Sequence, residues 1–146
     1  MTQRIHAQFS GYACVLLEKN NQVLLIKRSN TGWMDGYWSI PGGAMEHHEP
    51  ILYAAAREAK EELAIDIDIQ DLQLFHLTDI HRNNMKMVGF YFICKNWQGE
   101  PINNEPERHS QIGWFAIDNL PADITHYTQK VIRAYQSKVE ISLIQE

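Results

Sequence analysis

The order of elements in this chain predicts an α+β fold, a mixed sheet with helices layered against it. Three observations carry that reading. Apolar runs of strand character open the chain and fill its middle. Two stretches, near residues 50 to 63 and 124 to 138, instead repeat their apolar residues at helical spacing. The two kinds of element mix without the strict alternation that builds a doubly wound sheet.

Each element has its own signal. The first strand is FSGYACVLLEK, and Asn20 and Asn21 mark a hairpin turn into QVLLIKR. RSNTGWMDG is a loop of turn-forming residues, followed by a short strand, YWSI, which Pro41, Gly42 and Gly43 break. Pro50 suits a helix start, and Ile51, Ala55, Ala59 and Leu63, flanked by Leu52 and Ala56, form one apolar stripe. IDIDIQDLQLFHLTDI alternates in its first half and reads as strand, HRNN as a turn, and KMVGFYFICKNW as a long buried strand. The polar loop QGEPINNEPERHS leads to a further strand, QIGWFAI. After DNLP, a second helix over 124–138 places Ile124, Tyr127, Val131 and Tyr135 near one face. With no repeat, low-complexity run or linker, residues 1–146 read as one domain.

Composition narrows the function classes. A chain of 146 residues can enclose a pocket, and 45% hydrophobic with 21% charged residues is the balance of a soluble globular protein. No apolar run approaches the roughly 18 residues of a membrane span, and no secretory signal opens the chain. A cytoplasmic location is expected, with no membrane partner. The net charge of −5 argues against a nucleic-acid polymer as partner, which needs a basic stripe, but not against a small phosphorylated substrate. Cys14 and Cys94 sit in apolar segments and read as buried small hydrophobes.

The dense charge of REAKEE, residues 57 to 62, is the feature that calls for an explanation. On a helix Glu58, Glu61 and Glu62 fall at i, i+3 and i+4, so they share a face and repel one another. A hard divalent cation removes that conflict, because Mg²⁺ or Mn²⁺ takes oxygen ligands. Arg57 points to the side where Glu49 would sit and could lock the glycine loop onto the helix through a charge-assisted pair. The preceding glycines let backbone approach a metal or phosphate closely. His47 and His48 read as a solvent-facing pair, since neighbouring loop residues rarely chelate together and Mg²⁺ does not choose imidazole.

From Gly43 the spacing continues through Glu49, Arg57, Glu58, Glu61 and Glu62 to Ile65, and this resembles the Nudix box, GX5EX7REUXEEXGU with U aliphatic. Ala64 departs from it, standing where the family has glycine, and Ala59 is a small member of the U class. His48 also replaces a usual glycine. Ala64 would either adopt the left-handed helix stop that glycine serves, at a cost of roughly 1 kcal/mol, or the helix would end differently here. The resemblance implies a Nudix-type α/β/α sandwich with a mixed central sheet and a loop–helix that carries the chemistry. It also implies hydrolysis of a nucleoside diphosphate linked to a moiety X. Glu58, Glu61 and Glu62 would ligate Mg²⁺ (or Mn²⁺), helped by the Gly43 carbonyl. Glu61 or Glu58 would be the base, Glu49 would orient Arg57, and Arg57 would orient the helix carboxylates. Glu46 would lie behind these ligands or occasionally join them. WQGEPINNEPE is similar to a loop of the MutT-like enzymes, with Glu105, or else Glu107, completing the metal site.

Selection of X falls outside the box. Arg28 ends the second strand as a phosphate contact, and Trp33 and Tyr37 could stack on a base. Trp38 reads as core. Asp123, His126 and Tyr127 occupy the region where MutT-like relatives place base-reading side chains. The leading expectation is a MutT-like (d)NTP pyrophosphohydrolase acting on canonical or oxidised nucleotides, as a monomer or homodimer. The alternatives are hydrolysis of ADP-ribose, a nucleotide sugar or a dinucleotide polyphosphate, and, more distantly, a non-catalytic nucleotide-sensing module.

Overall fold

A computed structural model describes residues 2–146. Its strands are β1 (Ser10–Lys19), β2 (Gln22–Arg28), β3 (Trp38–Ser39), β4 (Gly42–Ala44), β5 (Leu72–Arg82), β6 (Met85–Cys94), β7 (His109–Ala116) and β8 (Ile141–Gln145). Two helices, α1 (Ile51–Leu63) and α2 (His126–Ser137), complete it, with one 3-10 turn at Ile69–Asp71. The sheet runs β3-β2-β1-β6-β5-β8, with β4 added on β1 and β7 on β2. Its pairings are mixed, parallel for β1–β6 and β5–β8 and antiparallel elsewhere.

Period two along β1 decides the layers. Ala13, Val15 and Leu17 face one way and pack with Ala54, Ala55, Ala59 and Leu63 of α1. Cys14 and Leu16 face the other way and pack with Val131 and Ile132 of α2. A helix therefore covers each face, which is the α/β/α sandwich expected. Among the described residues, no helix is long and apolar enough to cross a membrane.

Both hairpin turns are Asn-Asn pairs with positive φ, 53° and 59° at Asn20 and Asn21 and 48° and 63° at Asn83 and Asn84. Asparagine tolerates that region, and such turns match the twist of the strands they join.

Four sequence expectations change. Gly42 and Gly43 do not simply end a strand but form β4, which pairs with Cys14 and Ala13. IDIDIQ is not a strand: the Asp68 side chain accepts from the Gln70 N–H at 2.9 Å and winds the segment into the 3-10 turn. The strand that follows runs through Arg82, so only Asn83 and Asn84 turn. On α1 the buried face shifts to Ala54, Ala55, Glu58, Ala59, Glu62 and Leu63, leaving Leu52 37% exposed. Beyond these, β8 is a strand that the sequence reading did not identify. Trp38 is core as expected, edge-on to Phe115 at 4.8 Å.

Candidate active site

The site begins where β4 meets α1. At Gly42 an added Cβ would lie 2.4 Å from the Ala13 carbonyl and 2.6 Å from the Cys14 Cα, so only glycine lets β4 lie this close to β1. At Gly43 a Cβ would come within 2.5 Å of Glu58 Oε1. The glycine pair is thus a cradle against which a buried carboxylate rests. The Gly42 N–H donates to Glu62 Oε1 at 2.9 Å, tying β4 to the last turn of α1.

Arg57 organises the carboxylates. Its Nε and Nη2 donate to Glu49 at 2.7 and 2.9 Å, a two-point pair, and Nη2 also donates to the Ala44 carbonyl at 3.1 Å. Its Nη1 stands 3.2 Å from Glu58 Oε1 and 3.2 Å from Glu61 Oε1. Glu46 is looser, 3.9 Å from Nη1. The Arg57 hydrogen bonds hold the Glu49 carboxyl down to about 2, while Glu49 foremost pushes the guanidinium up.

Glu58 and Glu62 are buried and Glu61 is exposed. Burial raises Glu58, and burial with the charge of Glu58 beside it raises Glu62 well above the carboxylate range. Glu62 Oε2 is buried with no hydrogen-bond partner. His109 Nε2 lies 3.3 Å from it but outside bonding geometry, and burial lowers that imidazole to about 4, so it brings no positive charge at neutral pH.

The loop after β6 seats on the end of α1. Ile102 and Asn104 donate their N–H groups to the carbonyls of Leu63 and Glu62 at 3.0 Å, and Asn104 Nδ2 donates to the Glu61 carbonyl at 3.0 Å. These bonds satisfy carbonyls that a helix end leaves open. They bring Glu105 close enough for its charge to raise Glu62 and for that of Glu61 to raise Glu105, although burial is the larger cause for both. Glu107 is exposed, its carbonyl accepting from Asn30 Nδ2 at 3.3 Å.

Beyond the glycine pair opens a cavity of about 350 Å³ lined by Gly42, Gly43, Arg28, Trp33, Tyr127 and Arg82, among others. Trp33 lies against Tyr127 with ring centroids 5.6 Å apart. Arg28 stacks 4.8 Å over Trp33 and donates to its carbonyl at 2.7 Å. Tyr37 and Asp123 do not line this cavity: Tyr37 is 41% exposed, and Asp123 pairs with Lys27 at 3.3 Å. Their short segment was anchored elsewhere, with Trp38 donating to the Asp123 carbonyl at 2.8 Å. Ser39, Tyr12, Arg82 and Tyr91 line the cavity without any sequence signal that marked them. Cys14, remote from the box in sequence, lies in the wall as a buried thiol that desolvation pushes up, and both cysteines are free.

Residues 8–135 match the family model for the NUDIX domain. The chain belongs to the Nudix family. It is a pyrophosphohydrolase of the MutT-like kind by that match and by its relatives. A MutT NUDIX hydrolase from Burkholderia pseudomallei superposes with a TM-score of 0.78 at 32% identity, covering 87% of this chain and 98% of that one. The 8-oxo-dGTP diphosphatase of Proteus vulgaris is 38% identical over 60% of this chain and 77% of its own length. The ADP-ribose pyrophosphatase of Methanocaldococcus jannaschii is 28% identical over 82% of this chain and 69% of its own. Nudix hydrolases generally use divalent metal ions and act on small nucleotide substrates.

The donor set here has the chemistry for such an ion: several carboxylates, one with an orphaned buried oxygen, beside a glycine cradle. No three described His, Cys, Asp or Glu side chains converge as a finished cage, and Arg57 Nη1 supplies the cation between Glu58 and Glu61.

Proposed function

We propose that this Nudix domain hydrolyses a nucleoside triphosphate to the monophosphate and pyrophosphate, in the manner of the MutT-like enzymes. The observation that carries the reading is the continuity of the two halves of the site. The aromatic cavity opens on the Gly42–Gly43 pair of β4, and Glu58 and Glu62 back that same pair. A base between Trp33 and the cavity wall would leave its phosphates at the glycine pair.

Glu58, Glu61 and Glu62, with the Gly43 carbonyl and Glu105, would hold Mg²⁺ (or Mn²⁺). Such an ion neutralises the diphosphate and lowers the pKa of a coordinated water. Arg57, fixed by Glu49, keeps the carboxylates in place for it. Glu61 is the best placed base, because its side chain is 49% exposed and water can reach it, whereas Glu58 and Glu62 are buried. The water oxygen bonds to phosphorus as Glu61 takes its proton. The α–β anhydride bond breaks with its electron pair on the departing oxygen. Arg28, with its guanidinium at the cavity wall, would steady the phosphates. Both helical layers share one sheet, which supports reading the chain as one domain.

A second reading, cleavage of ADP-ribose or a nucleotide sugar, draws support from the Methanocaldococcus jannaschii relative, which matches more of this chain than the Proteus vulgaris one does. The test is pyrophosphate release from canonical and oxidised (d)NTPs, beside ADP-ribose, nucleotide sugars and dinucleotide polyphosphates, with Mg²⁺ and with EDTA. Pyrophosphate from a triphosphate, abolished by Glu61→Gln, is the expected result. Turnover of ADP-ribose or a sugar nucleotide alone would replace this reading with the second.

A further inference from the structure

Helix α1 stops at Leu63, and the carbonyls of Glu61, Glu62 and Leu63 find no N–H donor further along the helix. The loop after β6 answers them in order. Asp66 and Gln98 first exchange N–H to carbonyl bonds at 3.0 and 2.9 Å, just beyond the helix stop. The Ile102 N–H then reaches the Leu63 carbonyl, and the Asn104 N–H the Glu62 carbonyl, both at 3.0 Å. These are backbone bonds, open to almost any residue. The last bond is different, because the Asn104 side chain makes it: Nδ2 donates to the Glu61 carbonyl at 3.0 Å. A carbonyl only accepts, so the amide nitrogen must face it.

Asn104 thus grips the two consecutive residues that carry the Glu61 and Glu62 carboxylates. One bond would leave it free to pivot, whereas two bonds to neighbouring carbonyls fix both its place and its orientation. The next residue is Glu105. Pro106 behind it confines Glu105 to extended backbone, and the Glu105 carbonyl accepts from the N–H groups of Arg108 and His109, both at 2.9 Å. Asn103 Nδ2 donates to the His109 carbonyl at 2.7 Å, which ties the loop to β7 and not to α1. The Glu105 carboxylate itself has no hydrogen bond among the described residues. Its direction is therefore set by the backbone on either side, and Asn104 is the side chain that registers that backbone on the helix.

We propose that Asn104 is a positioning residue: its amide holds Glu105 in register with Glu61 and Glu62, so that the loop and helix carboxylates face one cation. This rests on Glu105 being a ligand of that ion, as proposed above. Asn104 and its bond to Glu61 are exposed, so water can take the place of the amide at the Glu61 carbonyl. Losing the bond then costs little stability and shows instead in where Glu105 stands.

The test reads Mn²⁺ binding directly, from the paramagnetic resonance of free Mn²⁺ during titration of the chain without nucleotide, beside the melting temperature. Asn104→Ala and Glu105→Gln should each weaken Mn²⁺ binding roughly tenfold. Asn104→Ala should lower the melting temperature by no more than about 4 °C. Asn104→Leu, which keeps the bulk of the side chain but not the donor, should behave alike and serves should the Ala variant fail to fold. The two losses should not add: Asn104→Ala combined with Glu105→Gln should bind Mn²⁺ within about twofold of Glu105→Gln alone, since no carboxylate is left to position. Losses that multiply to about a hundredfold would overturn the proposal, because Asn104 would then support the helix and not Glu105. Unchanged Mn²⁺ binding in either single variant would overturn it too. Pyrophosphate release from a triphosphate, with Mn²⁺ binding unmoved by Asn104→Ala, would keep the proposed function and sink this one. The coupled loss in a chain that cleaves no triphosphate would do the reverse.

Discussion

Glu49, Arg57, Glu58, Glu61 and Glu62 come from one short stretch of chain, whereas Ser39, Arg82, Tyr127 and Glu146 come from four separate elements or their ends. At the first end of the cleft, one loop and one helix place these five charged groups, and the arginine that ties them is four residues from its farthest helical partner. At the second end, Arg82, Tyr127 and Glu146 are linked only once β5, β8 and α2 have met. Local spacing builds a reactive centre, and long-range pairing builds the pocket that chooses its substrate. The two can change independently, which fits a family whose relatives here carry names for different substrates.

Removing one carboxylate should separate the ends most sharply. Glu62→Gln keeps the oxygen that accepts from Gly42 but loses a charge whose burial is unfavourable. Turnover should fall by about two to three orders of magnitude while the melting temperature does not drop. A stability loss alongside intact turnover would put Glu62 in the scaffold and not the chemistry. Trp33→Ala acts at the other end. Stacking on a base contributes about 1–3 kcal/mol, so KM should rise roughly tenfold or more with kcat within about threefold. A fall confined to kcat would mean that Trp33 does not hold X.

Two smaller effects sharpen the first end alone. The Glu49 carboxylate is depressed in the folded chain to about 2, so its contribution is complete above its unfolded value and is lost as pH falls toward 2. The difference in melting temperature between wild type and Glu49→Gln should therefore be constant above about pH 5 and shrink below it. A difference that grows on acidification would contradict the clamp. Ala64 closes α1 at φ 57°, its N–H donating to the Lys60 carbonyl at 3.0 Å, in the left-handed conformation expected where the family has glycine. Ala64→Gly should stabilise the fold by about 1 kcal/mol in urea titration and leave turnover unchanged.

The same contrast explains what could be read before the structure. The Nudix spacing and the Arg57–Glu49 pair were legible because each depends on neighbours in sequence, while of the two ways α1 could end at residue 64 the left-handed stop is the one that forms. His48 also has positive φ, 62°, where a glycine is usual. The pairing of β4 was hidden because two glycines read as a break, and only the nearness of Ala13 and Cys14 makes them a strand. Alternation misled at IDIDIQ, where an aspartate side chain outcompeted the ladder. Of the residues expected at X, Trp33, Tyr127 and Arg28 line the cavity, while Tyr37 and Asp123 lie outside it. Arg82 escaped notice because it sat in what read as a turn.

The two Asn-Asn turns also set an order of events in folding. Each joins strands that are neighbours in sequence, β1 to β2 and β5 to β6, so those hairpins can close over short loops. The parallel ladders β1–β6 and β5–β8 must instead close long ones, which is slower. Pulse-labelled hydrogen exchange should then protect the two hairpins before β8. The reactive helix would stand beside a partly formed sheet before its selecting pocket exists, and discrimination would be the last property the folding chain acquires.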